Sequence, residues 1–510
     1  MTTPDEVEIK LELAPASLPR LKKIPLIQPI KKTPRRTTEV STYFDTRNRE
    51  LHKKGVMLRV RRIGDRFVQT IKSGKPGLFE RGEWETEIAS DKPDLDLAAG
   101  TALEPLVSKK LRRRLKPLFE TRVRRTVYPL SNEARSIALT LDRGTIDSEG
   151  RSAPLCEIEL ELERGNLAEL FAVARELGQA LPVRLAFKSK SDRGYQLMDG
   201  EEGLPVKAAP VDLAAGTTKR DAFKIIGRAC LKQIVGNEAA LLRGDAEGVH
   251  QMRVGLRRLR AAMSLISDLL RDAQTAAIKA ELKWLAGELT DARELEVLMK
   301  SVVAPAKKQH ANRDGLPSLS RELAERHAAA LAQAQSAVSS RRFRALTLET
   351  AAWIEIGNWS MPQEDSPGEE PIEISAAEQL ERRWRKVRKK GRIFAELDAP
   401  SRHRLRIQVK KLRYAAEFFA KLFEGRRAAK RRERFLPALG RLQDGLGDLN
   451  DIAVHENLLN SMGVRRKRSS LRRAYAAGLL TGHEDVRRDA AMAAAAKAHA
   501  ELAGIKPFWR

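Results

Sequence analysis

Around residue 200 the hydrophobic pattern of this 510-residue chain changes period. Before that point apolar side chains alternate with polar ones in short runs: Val56 to Arg62, Phe67 to Lys72, Arg81 to Ile88, Arg122 to Leu130, Ile137 to Asp142 and Leu155 to Glu163. Each run is bounded by turn residues, as half-buried strands are. Beyond Thr217 the stretches are rich in Ala, Leu and Arg with few β-branched runs, which fits helices of about 3.6 residues per turn. One period cannot serve the other structure. The chain therefore reads as a multidomain α+β protein. A mostly antiparallel β domain over 1–200, with helical interruptions near Leu103 to Leu115 and Leu167 to Leu177, is joined by a linker over 201–217 to an all-α domain over 218–510.

The helical part repeats itself. His250-Gln-Met-Arg253-Val-Gly-Leu-Arg257-Arg258-Leu-Arg260 aligns with His403-Arg-Leu-Arg406-Ile-Gln-Val-Lys410-Lys411-Leu-Arg413, and Leu289 to Val297 aligns with Leu446 to Val454. Two related helical bundles are expected, over about 218–360 and 375–510, separated by a break from Met361 to Pro371.

Lysine and arginine number 95 against 68 aspartate and glutamate, a formal charge of +27, so polyanions are the natural partners. Aromatic residues are only 5% of the chain, which disfavours a single-stranded nucleic-acid partner gripped by base stacking. Cys156 and Cys230 fit no metal or disulfide spacing, and no apolar run reaches the roughly 20 residues that cross a bilayer. A cytoplasmic protein without a membrane partner is expected.

Glu6, Glu8, Lys10 and Glu12 occupy alternate positions with aliphatic residues between them, and Glu157, Glu159, Glu161 and Glu163 repeat the pattern. Two facing acidic rows need cations between them, because clustered carboxylates otherwise protonate. Arg59 and Arg61, Lys72, Glu83 and Glu85, Arg122 and Arg124, and Lys188 and Lys190 also alternate. Any one such strand could be a solvated sheet face. Inside a closed sheet every second residue points inward, and a lumen carrying both signs suits a metal-bound phosphate chain.

On the basic helices, His250, Arg253, Arg257 and Arg260 fall within an arc of roughly 80°. His403, Arg406, Lys410 and Arg413 do the same in the second copy. A single basic stripe reads as the solvated face of a bundle helix. Two copies without an acidic residue in the stripe favour a surface for a linear polyanion. His455, one turn after Asp451, reads as a surface hydrogen-bonding residue. The chain has no phosphate-binding Gly-x-x-x-x-Gly-Lys-Ser/Thr loop, no His-Glu-x-x-His and no Gly-x-Ser-x-Gly.

With these residues assembled, the chain resembles the CYTH–CHAD proteins. The first part is similar to a CYTH domain through Glu6-Val-Glu8-Ile-Lys10, Tyr43-Phe-Asp45-Thr, Gly55-Val-Met-Leu-Arg59-Val-Arg61, Thr70-Ile-Lys72, Arg81-Gly-Glu83-Trp-Glu85, Leu141-Asp142-Arg-Gly144, Glu157-Ile-Glu159-Leu-Glu161 and Lys188-Ser-Lys190. The second is similar to a CHAD domain through His250, His403, their basic continuations and Leu446-Gly-Asp-Leu-Asn450-Asp451. The resemblance implies an eight-stranded antiparallel tunnel, a closed barrel, that hydrolyses inorganic triphosphate or a related triphosphate with Mg²⁺ or Mn²⁺. It implies metal ligation by Glu6, Glu8, Glu157, Glu159 and Glu161. Lys10, Arg59, Arg61, Lys72, Arg122, Arg124, Lys188 and Lys190 would clamp substrate, and Glu83 and Glu85 would serve catalysis together with Glu6, Glu8 and Lys10. The helical half would bind polyphosphate through the two basic stripes, feeding the tunnel, directing the protein to polyphosphate granules or regulating turnover. Rival readings keep the tunnel but cleave thiamine triphosphate or cyclise ATP, or make the chain a non-catalytic binder of polyphosphate or nucleic acid.

Overall fold

The computed structural model of the protein describes residues 6–27, 34–74, 80–133, 135–309, 315–361, 368–463 and 469–510. It divides into two compact units. The first comprises Met1–Leu204 with Arg341–Ala352, and the second Pro205–Ser340 with Trp353–Arg510. Most of the Met361 to Pro371 break lies outside the described residues. Among the described residues no helix is long and apolar enough to cross a membrane.

The first unit is built on nine strands: β1 (Glu6–Glu12), β2 (Arg35–Thr46), β3 (Val56–Ile63), β4 (Arg66–Gly74), β5 (Glu80–Ile88), β6 (Leu115–Ser131), β7 (Ser136–Ser148), β8 (Arg151–Arg164) and β9 (Arg184–Ala186). They form one sheet in the order β5-β4-β3-β2-β6-β7-β8-β1-β9, and the recorded pairings are all antiparallel. One edge of β1 pairs with β8. The other is shared: Glu6 and Val7 pair with Arg81 and Glu80 of β5, and Lys10 to Glu12 pair with β9. The sheet thus comes round on itself at a seam two residue pairs long. It is not closed along its length as a barrel of eight strands would be, because β9 takes the rest of the β1 edge.

Alternation sends the aliphatic residues to the outer face. Ile9, Leu11, Ile158 and Leu160 are buried there, as are Leu170, Phe171, Ala174 and Leu177 of the Leu167–Ala180 helix that packs on β1 and β8. Leu58, Val60 and Ile71 form a second cluster with Leu95, Leu103 and Leu111. Each such side chain contributes about 1.5–3 kcal/mol by leaving water.

The inner face is polar over most of its area and aromatic at one end. There Tyr43, Phe119, Val123 and Ile146 pack with Tyr195 and Leu197 of the Lys190–Asp199 helix. Tyr43 stacks on Phe119 with ring centroids 4.6 Å apart, and Tyr195 meets the same ring edge-on at 5.2 Å. Asp45 fixes this end from below. Its carboxylate accepts from the Leu51 and His52 backbone N–H groups and from the Tyr195 hydroxyl, each at 2.9 Å.

The second unit contains the repeat. Each copy opens with a helix, Lys219–Gly236 and Ile372–Gly391, and the residues just before them, Thr218 and Pro371, form a β-bridge. Each continues with a basic helix, Ala246–Met263 and Ala399–Phe418. The copies then diverge. The first breaks at Leu289 between the helices Ala273–Glu288 and Thr290–Leu298, whereas the second runs unbroken through the aligned Leu446 in the helix Arg426–Gly463.

Gly194 lets the Lys190–Asp199 helix reach the sheet, since a Cβ there would lie 2.1 Å from Phe119 Cε2. Alanine in a helix is normally favoured over glycine by about 1 kcal/mol. Here the blocked ring reverses the sign. Gly194→Ala is expected to destabilise the first unit by about 1–3 kcal/mol, read as a lower urea midpoint; an unchanged or higher midpoint would contradict this packing.

Candidate functional site

Strand register alone gathers one face. Glu12, Glu157, Asp142 and Arg125 lie side by side across β1, β8, β7 and β6, and Lys10 lies opposite Glu159 one step along. On the other side Arg59 and Arg61 of β3 stand opposite Thr70 and Val68 of β4, while Lys72 and Thr70 stand opposite Glu83 and Glu85 of β5.

Three carboxylates converge on the β7–β8–β1 wall. Asp142, Glu157 and Glu159 each offer an oxygen, all within 4.8 Å of one another. Asp142 and Glu157 are fully buried. Cations surround them: Lys10 Nζ lies 2.9 Å from Glu8 and 2.5 Å from Glu159, and Arg125 reaches Asp142 at 2.6 Å and Glu159 at 3.2 Å. Lys190 Nζ touches Asp142, Glu157 and Glu159 at 2.8, 2.5 and 2.9 Å. Burial raises the Asp142 and Glu159 carboxyls, but the cations outweigh it and hold both below the usual range. Burial wins at Glu157, whose carboxyl is pushed up despite Lys190. Lys10 and Lys190 are held above the ordinary lysine value, their carboxylate partners outweighing burial.

The hard oxygen donors of this cage suit Mg²⁺ or Mn²⁺. Glu157 Oε2 is buried without a hydrogen bond, with Arg193 Nη1 4.0 Å away, so the donor set has an oxygen left for an ion.

The opposite wall is richer in cations. Lys72 pairs with Glu83 at 2.8 Å, Arg59 lies 3.7 and 3.6 Å from Glu83 and Glu85, and Arg61 lies 3.6 Å from Glu85 and 3.7 Å from Glu39. Glu39 also stands 3.7 Å from Arg125 and so links the two walls.

Several expected positions move. Arg122 and Arg124 are exposed and lie on the outer face, because Arg125 occupies the inner one and neighbours on a strand point oppositely. Arg122 instead pairs with Glu120 at 2.9 Å. Glu161 is exposed, beyond the three-carboxylate cluster. Lys188 and Lys190 are not alternate strand residues: β9 ends at Ala186, and Lys190 opens a helix capped by Ser189 and Asp192. Lys188 is half-buried near Glu12 and Arg193, and burial lowers its pKa. The Glu6 side chain lies outside the described residues, although its backbone pairs with Arg81.

In the second unit the two basic stripes converge. Arg257 and Arg406 lie close enough to Arg253 and Lys410 to oppose their charge, after burial. Burial, then neighbouring arginines, lowers Arg253 to about 10, Lys410 to about 7 and His250 to about 4. Arg253 donates to Thr290 Oγ1 at 2.7 Å and to the Ala286 carbonyl at 3.1 Å. Asp451 lies 3.7 Å from Arg406, and Glu294, the aligned residue of the first copy, lies near Arg253. His403 is exposed and its Nδ1 is 2.7 Å from Asn450 Oδ1, whereas the aligned Arg293 adds another cation beside His250. Arg260 is exposed, and Arg413 pairs with Glu417 at 2.8 Å along its own helix. His455 is buried rather than superficial, 3.1 Å from Glu484.

Residues 5–195 match the model of the CYTH domain and residues 225–460 that of the CHAD domain. The chain is a CYTH domain followed by a CHAD domain. An inorganic triphosphatase of Haemophilus influenzae is 30% identical over 162 residues, which is 31% of this chain and 45% of that protein, so the match spans less than half of the relative. The crystal structure of the CHAD domain from the plant Ricinus communis is 28% identical, covers 59% of this chain and 97% of its own, and superposes with a TM-score of 0.50. A putative adenylyl cyclase from Hippeastrum, described as having dominant triphosphatase activity, is 20% identical over 38% of this chain and 95% of its own, with a TM-score of 0.30, too remote for a functional comparison.

Sequence reasoning passed over Asp142, Arg125 and Glu39 of the CYTH domain as site residues. Asp142 ends the alternating run from Ile137 and lies within Leu141-Asp142-Arg-Gly144, so its parity is available from the sequence. Arg124-Arg125 is a doublet, and only register shows which member faces inward.

The CHAD cluster yields a prediction. The folded Lys410 amine titrates below its unfolded value, so between about pH 7 and pH 10 the unfolded chain holds the extra proton and stability rises with pH. The slope is at most about 1.4 kcal/mol per pH unit. Lys410→Met is expected to flatten this rise in urea midpoints measured between pH 7 and pH 9.

Proposed function

We propose that the CYTH domain hydrolyses inorganic triphosphate, or a closely related linear triphosphate, with a divalent ion, and that the CHAD domain binds polyphosphate. The observation that carries the first part is the arrangement of Asp142, Glu157 and Glu159 on one wall of a face whose other wall presents Arg59, Arg61 and Lys72. A bound Mg²⁺ or Mn²⁺ would be held by the three carboxylates, with Glu8 beside Lys10, and would supply charge neutralisation at phosphate oxygens and a more acidic water.

The side chains divide the remaining work. Arg59, Arg61, Lys72 and Arg125 exchange their carboxylate partners for phosphate oxygens, so the chain is bound without leaving a buried cation unpaired. Held from both walls, the terminal phosphorus is oriented for in-line attack by water, and the bridging P–O bond breaks to give pyrophosphate and phosphate. The same cations stabilise charge on the departing pyrophosphate. Glu83 and Glu85, beside Arg59, orient the water. The rings at the end of the inner face pack against one another rather than framing a slot for a base or thiazole, which favours a bare phosphate chain.

For the CHAD domain the supporting observation is the crowding of Arg253, Arg257, Arg406 and Lys410, whose like charges repel, with Asp451 and Glu294 beside them. An incoming chain of phosphates relieves that repulsion.

Phosphate release should require Mg²⁺ or Mn²⁺ and fall by about two orders of magnitude or more in Glu159→Gln, as loss of several kcal/mol of charge stabilisation implies. Activity on triphosphate compared with ATP and thiamine triphosphate chooses among substrates, and full activity without metal would end the proposal. Arg125→Gln should lose activity while Arg124→Gln stays near the parent; equal effects would contradict the register. Polyphosphate should displace labelled RNA from the full chain and bind more weakly to Arg257→Gln with Arg406→Gln, measured at several salt concentrations.

A further inference from the structure

Lys190 occupies the place that an ion in this cage would need. Its Nζ touches one oxygen from each of Asp142, Glu157 and Glu159, and it is buried. The backbone alone would not put a cation there. Lys190 is the first residue of a helix, where the exposed N–H groups disfavour positive charge. The capping box of Ser189 and Asp192 and the packing of Tyr195 and Leu197 fix that helix end, and the three carboxylates draw the ammonium inward.

An ammonium and a divalent cation cannot share these oxygens. Metal entering alone would push Lys190 off its three partners and leave it facing Lys10 and Arg125, which are already engaged with Glu159 and Asp142. A buried cation stripped of its partners costs several kcal/mol. A triphosphate changes this, because its anionic oxygens can accept the displaced ammonium.

We infer that Lys190 is an internal counter-ion that holds the divalent-cation position until a triphosphate draws it away, so that metal binding is conditional on the phosphate chain. The triphosphate half of this statement rests on the proposed hydrolase reading, while the competition between Lys190 and metal does not. Linkage makes the effect reciprocal: whatever factor triphosphate adds to metal affinity, metal adds to triphosphate affinity.

Mn²⁺ binding to the full chain, read from the electron paramagnetic resonance signal of the free aqua ion, tests it without turnover. The parent chain should bind Mn²⁺ weakly by itself, and Lys190→Met should tighten binding about tenfold or more. A Lys190→Met chain that folds only when Mn²⁺ is present supports the inference equally. Equal Mn²⁺ affinity in the parent and Lys190→Met overturns it. If Lys190→Met folds under neither condition, the parent decides. Protein-bound Mn²⁺ in equilibrium dialysis that appears only with hydrolysis-resistant imidotriphosphate supports the inference, and tight binding without it overturns it. Phosphate-release assays separate the two readings. Tightening in Lys190→Met without any triphosphate hydrolysis keeps the counter-ion and removes the hydrolase. Hydrolysis with equal Mn²⁺ affinities does the reverse.

Discussion

Charge compensation across strand register is the constraint on which the first unit depends. An antiparallel sheet places directly opposed residues on the same face, so the choice of residue at one position dictates what its neighbour must be. Asp142 sits between Glu157 and Arg125, and Lys10 sits opposite Glu159. Burial pushes fully buried Asp142 and Glu157 toward protonation, and the interleaved cations outweigh it at Asp142 but only offset it in part at Glu157. With them, the inner face stays charged yet nearly paired. The outer aliphatic face and its helices can then supply stability while the inner face is kept for ligand.

Much of this was legible because the side-chain period of a strand is two. The alternation of Glu8 with Lys10, Arg59 with Arg61 and Glu157 with Glu159 places each pair on a common face from the sequence alone. What the pattern could not supply is the phase of a strand relative to its neighbours. A slip of one residue exchanges faces, and Arg124-Arg125 offers a plausible cation in either phase. Lys190 marks a different gap. Lys188-Ser-Lys190 has the spacing of a strand, but the chain leaves β9 at Ala186 and turns into a helix through the Ser189–Asp192 capping box. The seam was hidden for a related reason: division of one β1 edge between β5 and β9 is a tertiary outcome with no local sequence signal.

In the helical unit the helix period placed each basic stripe on one face, and the alignment of the copies showed two of them. The facing of the stripes was not contained in either. Nor was the different use of aligned residues: Asn450 accepts a contact from His403, while Arg293 crowds His250 with charge. Helices that align within the repeat can therefore carry histidines in different electrostatic settings. His455 shows the limit of reading exposure from polarity, since it is buried against Glu484.

The two units handle cationic charge in opposite ways, and this bears on how each would meet an anion. On the inner sheet face Lys10, Arg59, Arg61, Lys72, Arg125 and Lys190 each already have a carboxylate, so anion binding would be an exchange of partners and its net gain a difference between two sets of short-range contacts. Such contacts are buried and weakly screened by salt. In the helical cluster Arg253, Arg257, Arg406 and Lys410 crowd together with Asp451 and Glu294 beside them. There the gain is relief of repulsion already present, it grows with the number of phosphates engaged, and added salt competes with it directly. A short condensed phosphate gripped from two walls suits the first arrangement, and a long chain of unspecified length suits the second.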